Sequence, residues 1–280
     1  MAGLALNGAQ PDTALASKRP TPIHRGALHN WLQNWQSKIY NQLSFMDPAH
    51  IAALLEPFLP GSQRLTGADL ERISMYIDIL LRWNARVNLT AIRDPEQIVT
   101  RHFGESLFTA RHLFPNREDA TAGPISQACG QHAVHPVTQL RVADVGSGAG
   151  FPGMPAKIWS PQIELTLIES NHKKAAFLRE AARCLRLTDI NVQIARAETL
   201  PAGSFDVVTL RAVECFESIL PQAAELVAPS GRLALLIGSS QVTQTQTLLE
   251  RSSFIQVQRS IPVIPIPRST DRILAIVPRR

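Results

Sequence analysis

The chain has 280 residues, 45% of them hydrophobic, with 28 basic side chains against 23 acidic ones and a formal net charge of +5. That is enough apolar chain for a substantial buried core in one or two domains, yet no apolar run approaches the roughly 18 to 20 residues of a membrane span. Cys129, Cys184 and Cys215 are scattered and form no C-x-x-C pair, which argues against a disulfide framework or a zinc site and suits a reducing compartment.

Two of the cysteines lie in apolar surroundings and are expected to be buried, inert thiols. Three units of the net charge come from Lys18, Arg19, Arg25 and Lys38 against Asp12, all before residue 45, so the rest of the chain is only mildly basic. A polyanionic partner therefore gains little support from charge alone.

Residues 1–28 are rich in Ala, Pro, Thr and Gly without periodicity and read as a disordered leader. The leader lacks the early charge and compact apolar stretch of a secretory signal, although its few acidic residues leave an organelle transit peptide open. Residues 29–117 read as a helical region. Ile51, Leu54, Leu55 and Phe58 share one helical face, which Pro57, Pro60 and Gly61 bring to an end. Thr66 with Asp69 three residues on is a capping pattern, and Leu70, Ile73, Ile77, Leu80, Leu81 and Val87 recur at helical spacing behind it. Asp94-Pro95 opens another helix to about Leu113, since proline at the first helical position loses no needed hydrogen bond. Residues 118–139 carry Gly, Pro, Ser, Gln and His without periodicity and read as a long mobile insertion.

The pattern changes at residue 140 and holds to the end, 280. Apolar β-type runs at Leu140–Val145, Ile163–Glu169, Ile190–Ala195, Phe205–Leu210 and Leu233–Ile237 alternate with helices after Phe151, over Asn171–Leu187, near Leu220 and near Gln244. Strands so uniformly apolar predict a parallel sheet covered on both faces. Phe254–Gln258 and Ile273–Val277 follow with no helix-length pattern between them and read as a terminal antiparallel hairpin.

Val142-Ala143-Asp144-Val145-Gly146-Ser147-Gly148-Ala149-Gly150-Phe151 drives an apolar strand straight into a D-x-G-x-G-x-G turn. Glycine lets the backbone take positive φ and admits a ligand close to the turn, with helix N–H groups aimed at it. A side chain at Gly146 is therefore expected to intrude on a bound molecule. The string Gly148 to Gly153 also satisfies G-x-G-x-x-G, the dinucleotide pattern. Here, however, Gly146 and Ser147 intervene between strand and first glycine, and Pro152 already sets the helix start. Glu169 ends the second strand about 20 residues on, where a carboxylate can accept hydrogen bonds from ribose hydroxyls or cap the next helix. Arg196-Ala197-Glu198 follows the third strand, where a loop can edge an adenine.

More restrictive signatures are Trp83-Asn84 with Asn88-Leu89-Thr90, Ile92-Arg93-Asp94, Arg101-His102 with Glu105-Ser106, Asp144 to Gly153 with its Phe-Pro-Gly, and Leu210-Arg211-Ala212. In these, from about Gly67 to Val277, the chain resembles the 16S ribosomal RNA guanine-N7 methyltransferases, the glucose-inhibited division protein B family. The resemblance implies an α/β, Rossmann-like class I methyltransferase. Its sheet would be mostly parallel and seven-stranded, with a C-terminal antiparallel hairpin and N-terminal helices packed on the core. It implies S-adenosyl-L-methionine as cofactor, no metal, and small-subunit RNA or an assembly intermediate as partner, with a monomer acting in the cytoplasm.

By the same resemblance, Gly146 and Phe151 line the cofactor site and Ala197 and Glu198 lie toward the adenine, while Gly148, from the glycine turn, and Glu169, from its place at the strand end, are added as cofactor-binding candidates. Arg211 lies where cofactor and guanine meet, as a positioning residue rather than an acid or base. Arg93, Arg101 and Arg211 are RNA-contact candidates, although for Arg93, Arg101 and His102 helix packing fits as well. One departure is Leu236-Ile237-Gly238, where the family commonly has Lys before the glycine, which weakens the case for a phosphate contact there.

Guanine N7 carries a free lone pair, so attack on a sulfonium methyl needs no general base. In-line positioning, worth up to about 7 to 11 kcal/mol, can supply most of the acceleration. The A-form major groove is too narrow to read, so the target base is expected in an exposed loop. The alternatives are a Rossmann methyltransferase acting on another RNA, a protein or a small molecule, and an NAD-dependent oxidoreductase. A non-catalytic RNA-binding protein is a further one.

Overall fold

Residues 46–61, 65–115, 139–213, 215–252 and 260–279 are described by the structure, a computed structural model, and all lie in one compact unit spanning 44–280. The leader, nearly all of the 118–139 insertion and the strand expected at Phe254–Gln258 fall outside the described residues.

Among the described residues, seven strands form one sheet in the order β3-β2-β1-β4-β5-β7-β6. The first five are β1 (Arg141–Val145), β2 (Glu164–Ile168), β3 (Ile190–Gln193), β4 (Phe205–Arg211) and β5 (Val227–Gly238), and their pairings are parallel. β6 (Val263–Pro265) and β7 (Arg272–Pro278) pair antiparallel, and β7 also runs antiparallel to β5. The last strand thus forms an antiparallel hairpin with Val263–Pro265, and the strand expected at Phe254–Gln258 lies outside the described residues. The Val263–Pro265 stretch is only three residues long and contains two prolines with its flank, so it carries no strand-length apolar pattern to find.

Strand alternation builds the two apolar layers. Along β5, Ala234 and Leu236 join one cluster while Leu233, Leu235 and Ile237 join the other. The first layer is closed by α1 (Pro48–Leu55), α2 (Gly67–Asn84), α4 (Glu105–Leu113), α5 (Gly153–Trp159) and α6 (His172–Cys184) and the second by α7 (Phe216–Glu225) and α8 (Val242–Arg251), while the short α3 (Pro95–Gln97) buries no residue in either. Each fully buried Leu, Ile or Phe in these layers contributes about 1.5–3 kcal/mol.

Local chemistry sets the helix starts as the sequence predicts. Thr66 Oγ1 accepts from the Asp69 N–H at 3.2 Å and Asp69 Oδ2 accepts from the Thr66 N–H at 2.9 Å, a reciprocal cap. Asp94 Oδ2 accepts from the Gln97 N–H at 2.9 Å. The helix that follows is not uniform, because between α3 and α4 the seven residues Ile98–Gly104 form a π-helical segment. Apolar periodicity does not reveal such a widened turn, and segments of this kind are frequent at functional sites.

Two expectations change. Cys184 is half-buried, with burial pushing its thiol up to about 11, whereas Cys215 is exposed at a left-handed position (φ 55°) just before α7. Ile237 is buried and pairs with Ile273 across β5 and β7, so this position, where the family resemblance led us to look for Lys, faces apolar packing here. Among the described residues, no helix is long and apolar enough to cross a membrane.

Candidate active site at the switch point of the sheet

In an open α/β sheet, ligands bind beyond the carboxyl ends of the strands where the strand order reverses, and here that point lies between β1 and β4. The glycine turn leaves β1 at this point and Arg211 ends β4 beside it.

The turn is held from within. Gly146 and Ser147 donate their N–H groups to the Ile168 carbonyl at 2.9 and 3.1 Å, Gly148 donates to Glu169 Oε2 at 2.9 Å, and Gly150 donates to the Ser147 carbonyl at 2.6 Å. Beneath it, Asp144 accepts from Thr209 Oγ1 at 2.8 Å and from the Gly153 N–H at 3.2 Å. Burial raises its carboxyl to about 6, opposed by these hydrogen bonds and by Arg211.

Gly146 takes φ 68°, and a Cβ there would meet Val213 Cγ1 at 2.7 Å, so protein rather than ligand excludes a side chain at that position. Gly148 takes φ 55° and its Cβ direction is open, the nearest neighbour being the Gly146 carbonyl at 3.8 Å. The turn therefore opens at Gly148, not at Gly146 as the sequence led us to expect.

Glu169 is buried, and both its oxygens are engaged: Oε2 by Gly148 and Oε1 by the Asn171 N–H at 2.8 Å. Asn171 in turn caps α6 through the N–H groups of Lys173 and Lys174. The carboxylate thus ties the turn to the next helix while each oxygen keeps further acceptor capacity. Ala197 is buried in a 3-10 turn, and the adjacent Glu198 is exposed with Arg196 at 3.9 Å.

Phe151 lies deeper than expected for a side chain open to a ligand. It is 5% exposed and sits between two rings, Tyr76 on one side (centroids 5.5 Å apart, 11° between planes) and His102 on the other (4.8 Å, 19°). Burial holds the Tyr76 hydroxyl protonated, and it donates to the Ala149 carbonyl at 2.6 Å. Helix α2 is thereby fastened to the glycine turn.

Arg211 is almost wholly enclosed, its side chain 9% exposed. One guanidinium nitrogen donates to the Arg101 carbonyl at 2.7 Å and to Glu105 Oε2 at 3.1 Å, and both terminal nitrogens lie 3.2 Å from His102 Nδ1. Glu105 also pairs with Arg272 at 3.1 Å. Burial, with Arg211, Arg101 and Arg272 nearby, lowers His102 to about 3, so the ring is neutral. Arginine can only donate, which puts the ring proton on Nε2, where Thr90 Oγ1 lies 2.8 Å away.

Thr90 is itself held by Asn84, whose side-chain amide bonds to the Thr90 N–H, the Thr90 carbonyl and the Leu89 N–H. The scattered signatures Asn84, Thr90, His102, Glu105 and Arg211 thus converge on one buried network. Arg93 and the Arg101 side chain stand outside it, exposed. Sequence reasoning missed Glu105 and Tyr76. Only the company Glu105 keeps in the Arg101-His102-x-x-Glu105 signature hinted at it, and nothing local marks Tyr76.

The residues fit an adenosine-type donor better than a dinucleotide. A pyrophosphate needs free N–H groups at the turn, and four of these are already committed; the open side of Gly148 offers room without demanding an anion. Strand order, an antiparallel β7 and this turn define an α/β methyltransferase of the S-adenosylmethionine-dependent class.

The family model for rRNA small subunit methyltransferase G (GidB) matches residues 69–123 and 130–266, and the chain belongs to that family. It is similar to the ribosomal RNA small subunit methyltransferase G of Halorhodospira halophila, 40% identical over 174 residues covering 62% of this chain and 72% of the relative. The Stenotrophomonas maltophilia protein of the same name is 38% identical over 193 residues, covering 68% and 79%. Among solved structures, a ribosomal protein L11 methylase from Lactobacillus delbrueckii subsp. bulgaricus is similar at 19% identity and a TM-score of 0.45, covering 63% of this chain and 80% of that one.

Proposed function

We propose that this chain transfers the methyl group of S-adenosyl-L-methionine to N7 of a guanine in 16S ribosomal RNA, acting in the cytoplasm on the small subunit or an assembly intermediate. The observation that carries this reading is the glycine turn, whose amides are spent on Ile168, Glu169 and Ser147. Such a turn suits a donor without a pyrophosphate.

When bound, the donor supplies an electrophilic methyl on a sulfonium. Gly148 gives it room, Glu169 offers its remaining lone pairs to the ribose, and Ala197 and Glu198 edge the adenine. Gly146 and Phe151 fix the turn from behind. Arg211 marks the side from which the guanine enters, held in place by Glu105 and His102.

No residue is assigned as a base. His102 is neutral, but its lone pair faces Arg211, and both Asp144 oxygens accept hydrogen bonds inside the core. N7 attack needs neither, because no proton leaves. The chain's contribution is alignment of nucleophile, methyl and sulfur, with water kept away.

Incubating the purified protein with donor and unmethylated small subunits, followed by mass mapping of the nucleosides, tests this. The expected product is one 7-methylguanosine in 16S RNA. Methyl on another nucleoside, or NADH binding more tightly than S-adenosylhomocysteine, would overturn it.

A further inference from the structure

We infer that His102 is a positioning residue for methyl transfer: its ring face holds Phe151 behind the glycine turn while its Nδ1 edge holds Arg211 at the end of β4. The inference rests on the roles proposed above for Phe151 and Arg211.

Three observations bring it about. The π-helical segment Ile98–Gly104 delivers His102 to Phe151, after the glycine turn, and to Arg211, at the end of β4, while Arg101 one residue earlier stays exposed. The imidazole stacks on Phe151 at 4.8 Å and 19°, a contact through its face. In its plane, Nδ1 lies 3.2 Å from the Arg211 guanidinium and Nε2 lies 2.8 Å from Thr90 Oγ1, so the ring cannot rotate without losing both. A flat group with an acceptor at one edge and a donor at the other is required, and neutral histidine is the side chain that supplies it. The groups facing it are Arg211 from β4, Arg272 from β7, and Arg101 and Glu105 from its own helix, so a cation there would be repelled by three arginines.

The two contacts separate by substitution. His102→Phe keeps a ring on Phe151 and removes the acceptor for Arg211. His102→Asn keeps an acceptor near the Nδ1 position and removes the ring. Thermal unfolding, donor KM and kcat on small subunits are measured for each. Loss of Arg211 placement is expected to lower kcat of His102→Phe about tenfold or more with donor KM within about twofold, whereas His102→Asn raises donor KM about tenfold with kcat within about threefold.

Equal changes in both variants, or none, would overturn the inference. If His102→Phe does not fold, His102→Asn alone decides by the same split; if neither folds, His102 is structural only and the inference falls. A wild-type protein that binds S-adenosylhomocysteine but methylates no small subunit would sink the proposed substrate instead. His102 is then judged on S-adenosylhomocysteine affinity, which His102→Asn must weaken about tenfold and His102→Phe must not. Absence of that binding in the wild type would end both.

Discussion

The glycine turn after β1 and the helical stretch from Pro95 to Leu113, which packs against the end of β4 through Arg211, meet at the same site but are held in opposite ways. The turn satisfies its amides with groups of the adjacent strand end, Ile168 and Glu169, only about one βα unit away. The helix is held by long-range charge: Arg211 reaches Glu105 and His102 more than a hundred residues back. Local closure makes the turn tolerant of what happens elsewhere. Long-range pairing makes the N-terminal helices and the sheet one mechanical body, so that breaking it should cost far more.

The carboxylate of Glu105, 4% exposed, faces two largely buried arginines. Removing it in Glu105→Ala leaves both cations uncompensated, and the expected loss is about 3–5 kcal/mol in chemical denaturation. A loss comparable with that of an exposed pair would mean that water reaches the network and the two regions are not coupled as described.

Acid probes the same network next. His102 is lowered to about 3 when folded, against an ordinary 6.5, so below about pH 6.5 the unfolded chain binds a proton that the folded chain refuses. Stability from this group is present above pH 6.5 and is lost as pH falls, by about 2 kcal/mol at pH 5. Asp144 works the other way: raised to about 6 from 3.8, it favours the folded state as pH falls through that window. Comparing wild type with His102→Asn cancels the Asp144 contribution to first order. The stability difference between them should shrink toward pH 5, and a difference constant with pH would show that the ring is not held neutral.

The local side of the comparison is sharpened at Gly148. Alanine there meets open space but must hold φ 55°, a strain of about 1–2 kcal/mol. Its methyl projects into the proposed donor cradle, so isothermal titration with S-adenosylhomocysteine should show weakened binding in a protein that is still folded. Unchanged affinity would move the donor away from Gly148. Gly146→Ala cannot serve for this test, because Val213 already fills the space.

That pair of glycines shows how much of the site was legible beforehand. The D-x-G-x-G-x-G spacing identified the turn and the strand entering it, because both are consequences of neighbouring residues. Which glycine faces ligand space depends on Val213, more than sixty residues on, and no local pattern carries that. The alternation of apolar strands and helices likewise gave the five parallel strands, while β6 went unread because three edge residues among prolines carry no period. Arg211 was read as a site candidate at the end of β4, whereas its partners were not assigned to it, since they lie more than a hundred residues back, Glu105 at the start of α4 and His102 in a π-helical turn that helical spacing does not reveal. Tyr76 was not on the apolar face read for α2, and its hydroxyl contact to the turn emerges only from packing.

Arg101 joins both halves of the comparison in one residue. Its carbonyl is an anchor for Arg211, whereas its side chain is exposed. Arg101→Ala leaves the carbonyl in place, so stability should change by no more than about 0.5 kcal/mol and Arg211 should keep its anchor. If the exposed guanidinium contacts a phosphate of the ribosomal RNA, affinity falls and the slope of log affinity against log salt decreases by about 1, and Arg93→Ala should behave alike. Filter binding across a salt series reads this directly. An unchanged slope would remove Arg101 from the RNA surface while leaving its backbone role intact, because the two belong to different atoms.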